Sequence, residues 1–123
     1  MADRTSIGLL ILRIGAGGLM LVNHGWDKLV GFKAAWGSFP NPLGVGNELS
    51  QIVTVFAEFF CSIAVILGLK TKLASLPLLI VMLVAGFIVH AGDSLAQKEM
   101  ALIYATCFGS LSLLGGGRYA LKD

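Results

Sequence analysis

Charge is scarce in this chain of 123 residues: Asp, Glu, Lys and Arg supply 13% of it, about half the share found in ordinary soluble domains. So few charged side chains cannot cover a small globule, which argues against a soluble enzyme. Runs of Lys or Arg are missing and the formal net charge is only +2, so nucleic acid and anionic surfaces are not expected as primary partners. Cysteine is nearly absent. Cys61 and Cys107 lie in apolar stretches and form no C-x-x-C pair, so neither a disulfide framework nor a zinc site is signalled. Strand-length segments of alternating polarity and internal repeats are also lacking, which leaves no sequence basis for a membrane β-barrel.

Apolar residues are abundant. The hydrophobic set makes up 56% of the chain, with 16 glycines in addition. Four apolar segments stand out, Ile7 to Val22, Ile52 to Leu69, Leu73 to Ala91 and Met100 to Gly117, each near the ~20 residues that cross a bilayer core as a helix. They predict an all-α, integral membrane, four-helix antiparallel bundle as a single domain over 1–123, with helices at about 6–29, 51–69, 73–91 and 99–116. No small-x-small cleavage site follows the first segment, which is therefore expected to be retained. Lys70, Thr71 and Lys72 make a tight turn, so the second and third helices are antiparallel neighbours. The long connection from Gly31 to Ser50 carries Pro40 and Pro42 and is expected to cap the bundle on the non-cytoplasmic side.

Orientation follows from the basic residues. Arg4, Lys70, Lys72, Arg118 and Lys122 share one side, against Lys28, Lys33 and Lys98 on the other, so both termini are expected in the cytoplasm and the chain in the plasma (inner) membrane as a multi-pass protein. Small residues recur at helix-contact spacing, Ala101, Ala105 and Gly109 for example, and allow close packing within the bundle or a homo-oligomer.

The informative residues are the polar ones inside the spans. A charge at the middle of a membrane helix costs roughly 2.5–3.5 kcal/mol on insertion scales, so Arg13 and Glu58 are expected to face inward and to pair with each other. Helical phase puts Arg13, His24 and Lys28 on one stripe of the first helix, Thr54 and Glu58 on one stripe of the second, and Gly86 and His90 on one stripe of the third. Together with Tyr104 of the fourth helix, these residues define a candidate polar pocket for a substrate: Arg13, His24, Lys28, Glu58, His90 and Tyr104. Each has a plainer reading. The Arg13–Glu58 pair serves equally as a purely structural buried ion pair, the histidines as interfacial hydrogen-bonding groups, and Tyr104 as the donor to a carbonyl. No metal site is expected, although His24, Glu58 and His90 form an alternative two-His, one-carboxylate set. Cys61 and Cys107 are expected to be small packing residues.

These elements, in this order, resemble the DoxX family of small four-span membrane proteins. The resemblance is carried by Arg13 with Gly15, the segment Asn23-His24-Gly25-Trp26-Asp27-Lys28-Leu29, Pro40 with Pro42, and Ala57-Glu58. It continues through Leu67-Gly68-Leu69-Lys70-Thr71-Lys72-Leu73-Ala74, His90, Glu99 with Ala101-Leu102, and the tail Gly115-Gly116-Gly117-Arg118-Tyr119-Ala120-Leu121. Gly116 stands where the family often has proline. The resemblance implies a four-helix bundle and an association with redox chemistry, since the family is similar to the small subunit of a thiosulfate:quinone oxidoreductase.

The leading expectation is therefore a component of a membrane oxidoreductase system, binding a quinone or similar apolar redox molecule in the polar pocket. No intrinsic cofactor motif is evident, so electrons would require a partner oxidoreductase subunit. The alternative is a non-enzymatic membrane anchor or an assembly or chaperone subunit for another membrane protein, and the third reading is a proton or small-solute transporter.

Overall fold

The structure, a computed structural model, describes residues 3–123 and contains no strand among them beyond a single bridge between Leu69 and Lys122. Four long helical rods dominate. Helix α1 spans Arg4–Val30, followed by the short α2 at Phe32–Ala35; then come α3 (Asn47–Leu67), α4 (Thr71–Val89) and α5 (Leu95–Leu114). By length and hydropathy α1, α3 and α4 can each cross a membrane. Helix α5 opens on Gln97, Lys98 and Glu99, which dilute its apolar length.

Local chemistry sets the boundaries. Asp3 caps α1 by accepting from the Thr5 amide at 3.1 Å, and the Ser6 hydroxyl donates to its other oxygen at 2.6 Å. That hydroxyl bond, ahead of the backbone contacts, holds the Asp3 carboxyl below its ordinary pKa. Ser94 caps α5 through reciprocal bonds with Gln97, so the helix starts at Leu95 rather than near residue 99. The Ser-x-x-Gln spacing was a start signal that the search for apolar length passes over. Gly68 ends α3 in the left-handed conformation (φ 75°). Lys70 follows with φ 47°, held there by its amide donating to the Lys122 carbonyl at 2.9 Å. Pro77 falls in the second turn of α4 and removes one backbone donor.

Packing closes a ring. Helix α1 lies on α3, α3 on α4 and α4 on α5, while α1 also touches α5. Met20, Ala57, Val65, Leu78, Phe108 and Leu111 are fully sealed at its centre. Outward, Ile11, Leu19, Leu73, Ile80, Ile103 and Leu113 are exposed, a distribution that suits hydrocarbon rather than water as the surrounding solvent. Of the Gly15–Gly18 cluster on α1, Ala16 and Gly17 are buried. A Cβ on Gly17 would press on Ile66 and the Ser62 carbonyl, whereas Gly15 and Gly18 have nothing within 4 Å.

Candidate functional site

Two separate polar centres occupy the interior, not one. The first surrounds Arg13, whose side chain is 1% exposed. Its guanidinium does not reach Glu58. Nε donates to the Gly116 carbonyl at 3.1 Å, Nη1 to Val65 and Ile66 at 3.3 and 2.9 Å, and Nη2 to Tyr119 at 3.1 Å. The expected Arg13–Glu58 ion pair is thus corrected, and the reason is physical. The last turn of a helix presents orphan carbonyls at the negative end of its dipole, and a planar fork of five donors satisfies several of them at once. The tail supplies the rest because Gly115 and Gly117, with φ of 81° and 80°, turn its backbone back toward α1 and α3.

Asp123 completes this centre. Its carboxylate accepts from the Thr71 amide at 3.0 Å and the Gly116 amide at 2.8 Å. Burial pushes its pKa up, but hydrogen bonds from Thr71 and Gly116 and the neighbouring Arg13 charge outweigh that and leave it lowered. A proline at position 116 would lack the donor that Asp123 uses. The whole arrangement ties residues 116–123 to α1, α3 and α4.

The second centre lies toward the long loop. Glu58, 2% exposed, pairs with Lys28, whose Nζ stands 2.6 Å from Oε1. Lys28 sits two residues from the end of α1, so its flexible stem can reach inward to the carboxylate while its head stays partly open. Beside the pair, the His24 ring meets Tyr104 edge-on at 5.6 Å between centroids, and Tyr104 stacks on Phe108 at 6.0 Å. His24 Nε2 is buried without a hydrogen-bond partner. Among the described residues, Glu58 Oε2 and the Tyr104 hydroxyl likewise take part in no hydrogen bond.

These groups border a cavity of about 580 Å³. Its remaining helical walls are mainly apolar, with Val53, Ile80, Met82, Val84 and Met100, and add the polar Ser50, Thr54 and Gln97. Phe39, Pro40, Pro42, Leu43 and Val45 of the loop close it from one side. His90 is at the rim, exposed and bound through Nδ1 to Asp93 Oδ2 at 2.7 Å. Arg13 is not a wall of this cavity. Of the six pocket residues expected from the sequence, the structure therefore gathers His24, Lys28, Glu58, His90 and Tyr104 and removes Arg13.

Local helix geometry helps to build the site. The rods change from α to the wider π pattern at Leu21–Gly25, Phe56–Cys61 and Ala85–Val89. His24 and Glu58 sit within the first two of these segments, and His90 directly follows the third. Such segments re-aim side chains and recur at functional sites. Gly25 lets α1 approach α3 here, since a Cβ at that position would overlap the Glu58 carbonyl.

The alternative metal set is not assembled: among the described residues no three His, Cys, Asp or Glu side chains lie within reach of one ion. His90 is turned to Asp93 and Glu58 to Lys28. Cys61 and Cys107 are free thiols that pack with the core. The Lys28–Glu58 pairing is not marked in the sequence, where both residues merely fall on polar stripes, and the backbone carbonyls that take Arg13 instead are common to every residue type.

Helices able to cross a membrane, an apolar exterior and a polar cavity within define a multi-helical membrane protein. The DoxX family model matches residues 8–91, more than half of the chain, and the chain belongs to that family. The match runs from the second turn of α1 through α4 and includes both members of the Lys28–Glu58 pair. Neither the curated proteins nor the solved structures compared with the chain gave a match.

Proposed function

We propose that this protein is a component of a membrane oxidoreductase system that holds a quinone or similar apolar redox molecule in the cavity beside His24, Lys28, Glu58 and Tyr104. In this reading all four rods cross the bilayer as an antiparallel bundle, with residues 31–46 on the non-cytoplasmic side and both termini in the cytoplasm. Short links at 68–70 and 90–94 support the antiparallel arrangement. The observation that carries the proposal is the buried, partnerless His24 Nε2 at the edge of a mainly apolar cavity. A buried polar atom of this kind costs free energy until something bonds it. A ring carbonyl or hydroxyl matches that need, and the Tyr104 hydroxyl can serve the same oxygen. Apolar walls suit the ring and an isoprenoid tail. Glu58 and Lys28 stand ready to give or take a proton at the polar end, while electrons pass to and from a partner subunit when the molecule is bound.

Gentle detergent extraction followed by mass spectrometry of bound quinone tests this. Wild-type protein is expected to retain quinone, and Glu58→Gln to bind decylubiquinone about tenfold more weakly, corresponding to ~1.4 kcal/mol. Wild-type protein that retains no quinone and binds no decylubiquinone would overturn the proposal. A second reading, a membrane anchor or assembly subunit, draws on the outward face of α1, where Gly8, Gly15 and Gly18 have open space around them and a partner helix could approach closely. Recovery of a partner membrane protein that Gly15→Leu abolishes, with the cavity residues irrelevant, would favour it.

A further inference from the structure

Residues 37–46 differ from every other wall of the cavity. The helical walls are rods locked into the ring, whereas this segment has no regular structure and contributes Phe39, Pro40, Pro42, Leu43 and Val45 to the cavity lining. Its hydrogen bonds run to its own flanks, and on the α2 side the Ser38 amide and hydroxyl both donate to the Ala35 carbonyl, at 3.0 and 3.2 Å. Asn41 Oδ1 accepts from the Gly46 amide at 3.0 Å and from the Ser50 hydroxyl at 3.3 Å, and the Asn47 amide side chain donates to the Gly37 carbonyl at 3.3 Å. These bonds are exposed to solvent. Among the described residues none runs from the segment to α1, α4 or α5, so no hydrogen bond fastens it across the cavity.

The ends and the tip are built differently. Gly37, Gly44 and Gly46 have φ of 86°, 72° and 111°, values that side-chain-bearing residues rarely adopt, and so provide points on both sides of the prolines where the chain direction can change. Between them Pro40 and Pro42 fix their own φ and stiffen the tip. The base is fastened independently, because buried Gln51 donates through Nε2 to the Phe32 carbonyl at 2.8 Å. An apolar cover stiffened by two prolines between glycine pivots, above a secured base and free of hydrogen bonds on its far side, has the construction of a lid.

We infer that residues 37–46 are a lid over the cavity, that the Asn41 side chain is its latch, and that lifting this lid is how the occupant enters and leaves. The inference rests on the cavity having an occupant, as in the reading above, but the lid itself can be tested without one. Thr54 lines the cavity, and Thr54→Cys provides a thiol beneath the cover whose reaction with N-ethylmaleimide is followed on its own peptide in phosphatidylcholine vesicles. Adding Asn41→Ala is expected to speed that reaction about tenfold, the equivalent of ~1.4 kcal/mol, and adding Ser50→Ala, which removes the latch bond to α3, about threefold. Unchanged rates in both folded variants would overturn the lid, and if Asn41→Ala does not fold, Ser50→Ala decides. Exchange of decylubiquinone is measured on the same preparations. Faster labelling with no decylubiquinone binding keeps the lid and discards the quinone reading; tight decylubiquinone binding with latch-independent labelling and exchange does the reverse.

Discussion

Arg13 and Lys28 lie on one helix, yet their chemistry sends them to opposite ends of the molecule's interior. A guanidinium can divide its donors among several carbonyls and so needs no carboxylate, provided that backbone oxygens converge on it. Lys28, with a compact head on a flexible stem, matches a single acceptor and finds it in Glu58. Arg13→Lys keeps the charge but cannot span Val65, Ile66, Gly116 and Tyr119 together. It is expected to lower stability by about 2–4 kcal/mol, because buried carbonyls lose their donors. Thermal unfolding in a mild detergent checks this, and a shift no larger than that of a surface Lys substitution would refute the structural role. Decylubiquinone affinity should move little in the folded fraction, since Arg13 is not a cavity wall.

At the scale of elements, the contact between α1 and α3 decides whether the cavity keeps its shape. It depends on a missing side chain at Gly25, where any Cβ runs into the Glu58 carbonyl and the Phe59 backbone. Gly25→Ala is expected to cost about 2–4 kcal/mol and to weaken decylubiquinone binding as well, because the displaced strand of helix carries Glu58. Gly18→Ala, on the same helix but facing open space, should instead stabilise by about 0.5–1 kcal/mol through helix propensity. Melting curves of the two variants side by side test the claim, and equal shifts would defeat it. The sequence showed which rods exist, because apolar length and period are strong signals. It did not show the π segments, since widening of a helix leaves no mark in hydropathy, nor the start of α5, where Ser94 and Gln97 rather than apolar content set the boundary.

For the molecule as a whole, the unequal distribution of its two polar centres gives the fold a direction. The Arg13 end is sealed by the tail, while the Glu58 end holds the cavity and its loop. If basic residues govern orientation, the cavity end faces away from the cytoplasm. A membrane-impermeant maleimide should then label Ser38→Cys in intact cells and Lys72→Cys only after permeabilisation, and the opposite pattern would reverse the topology. The site was legible in part for the same reason that topology is: stripes of polar residues could be phased along each helix, and His24, Lys28, Glu58, His90 and Tyr104 do border one space. The pairing was not legible, because Gly116 and Tyr119 bind Arg13 through carbonyls that any residue type could have supplied.

That last contact spans most of the polypeptide, 103 and 106 positions from Arg13 to its acceptors on the tail. During synthesis the N-terminal rod enters the bilayer long before those acceptors have left the ribosome. For that interval its guanidinium needs water, lipid phosphate or an insertion factor as host, until Gly116 and Tyr119 arrive to release it.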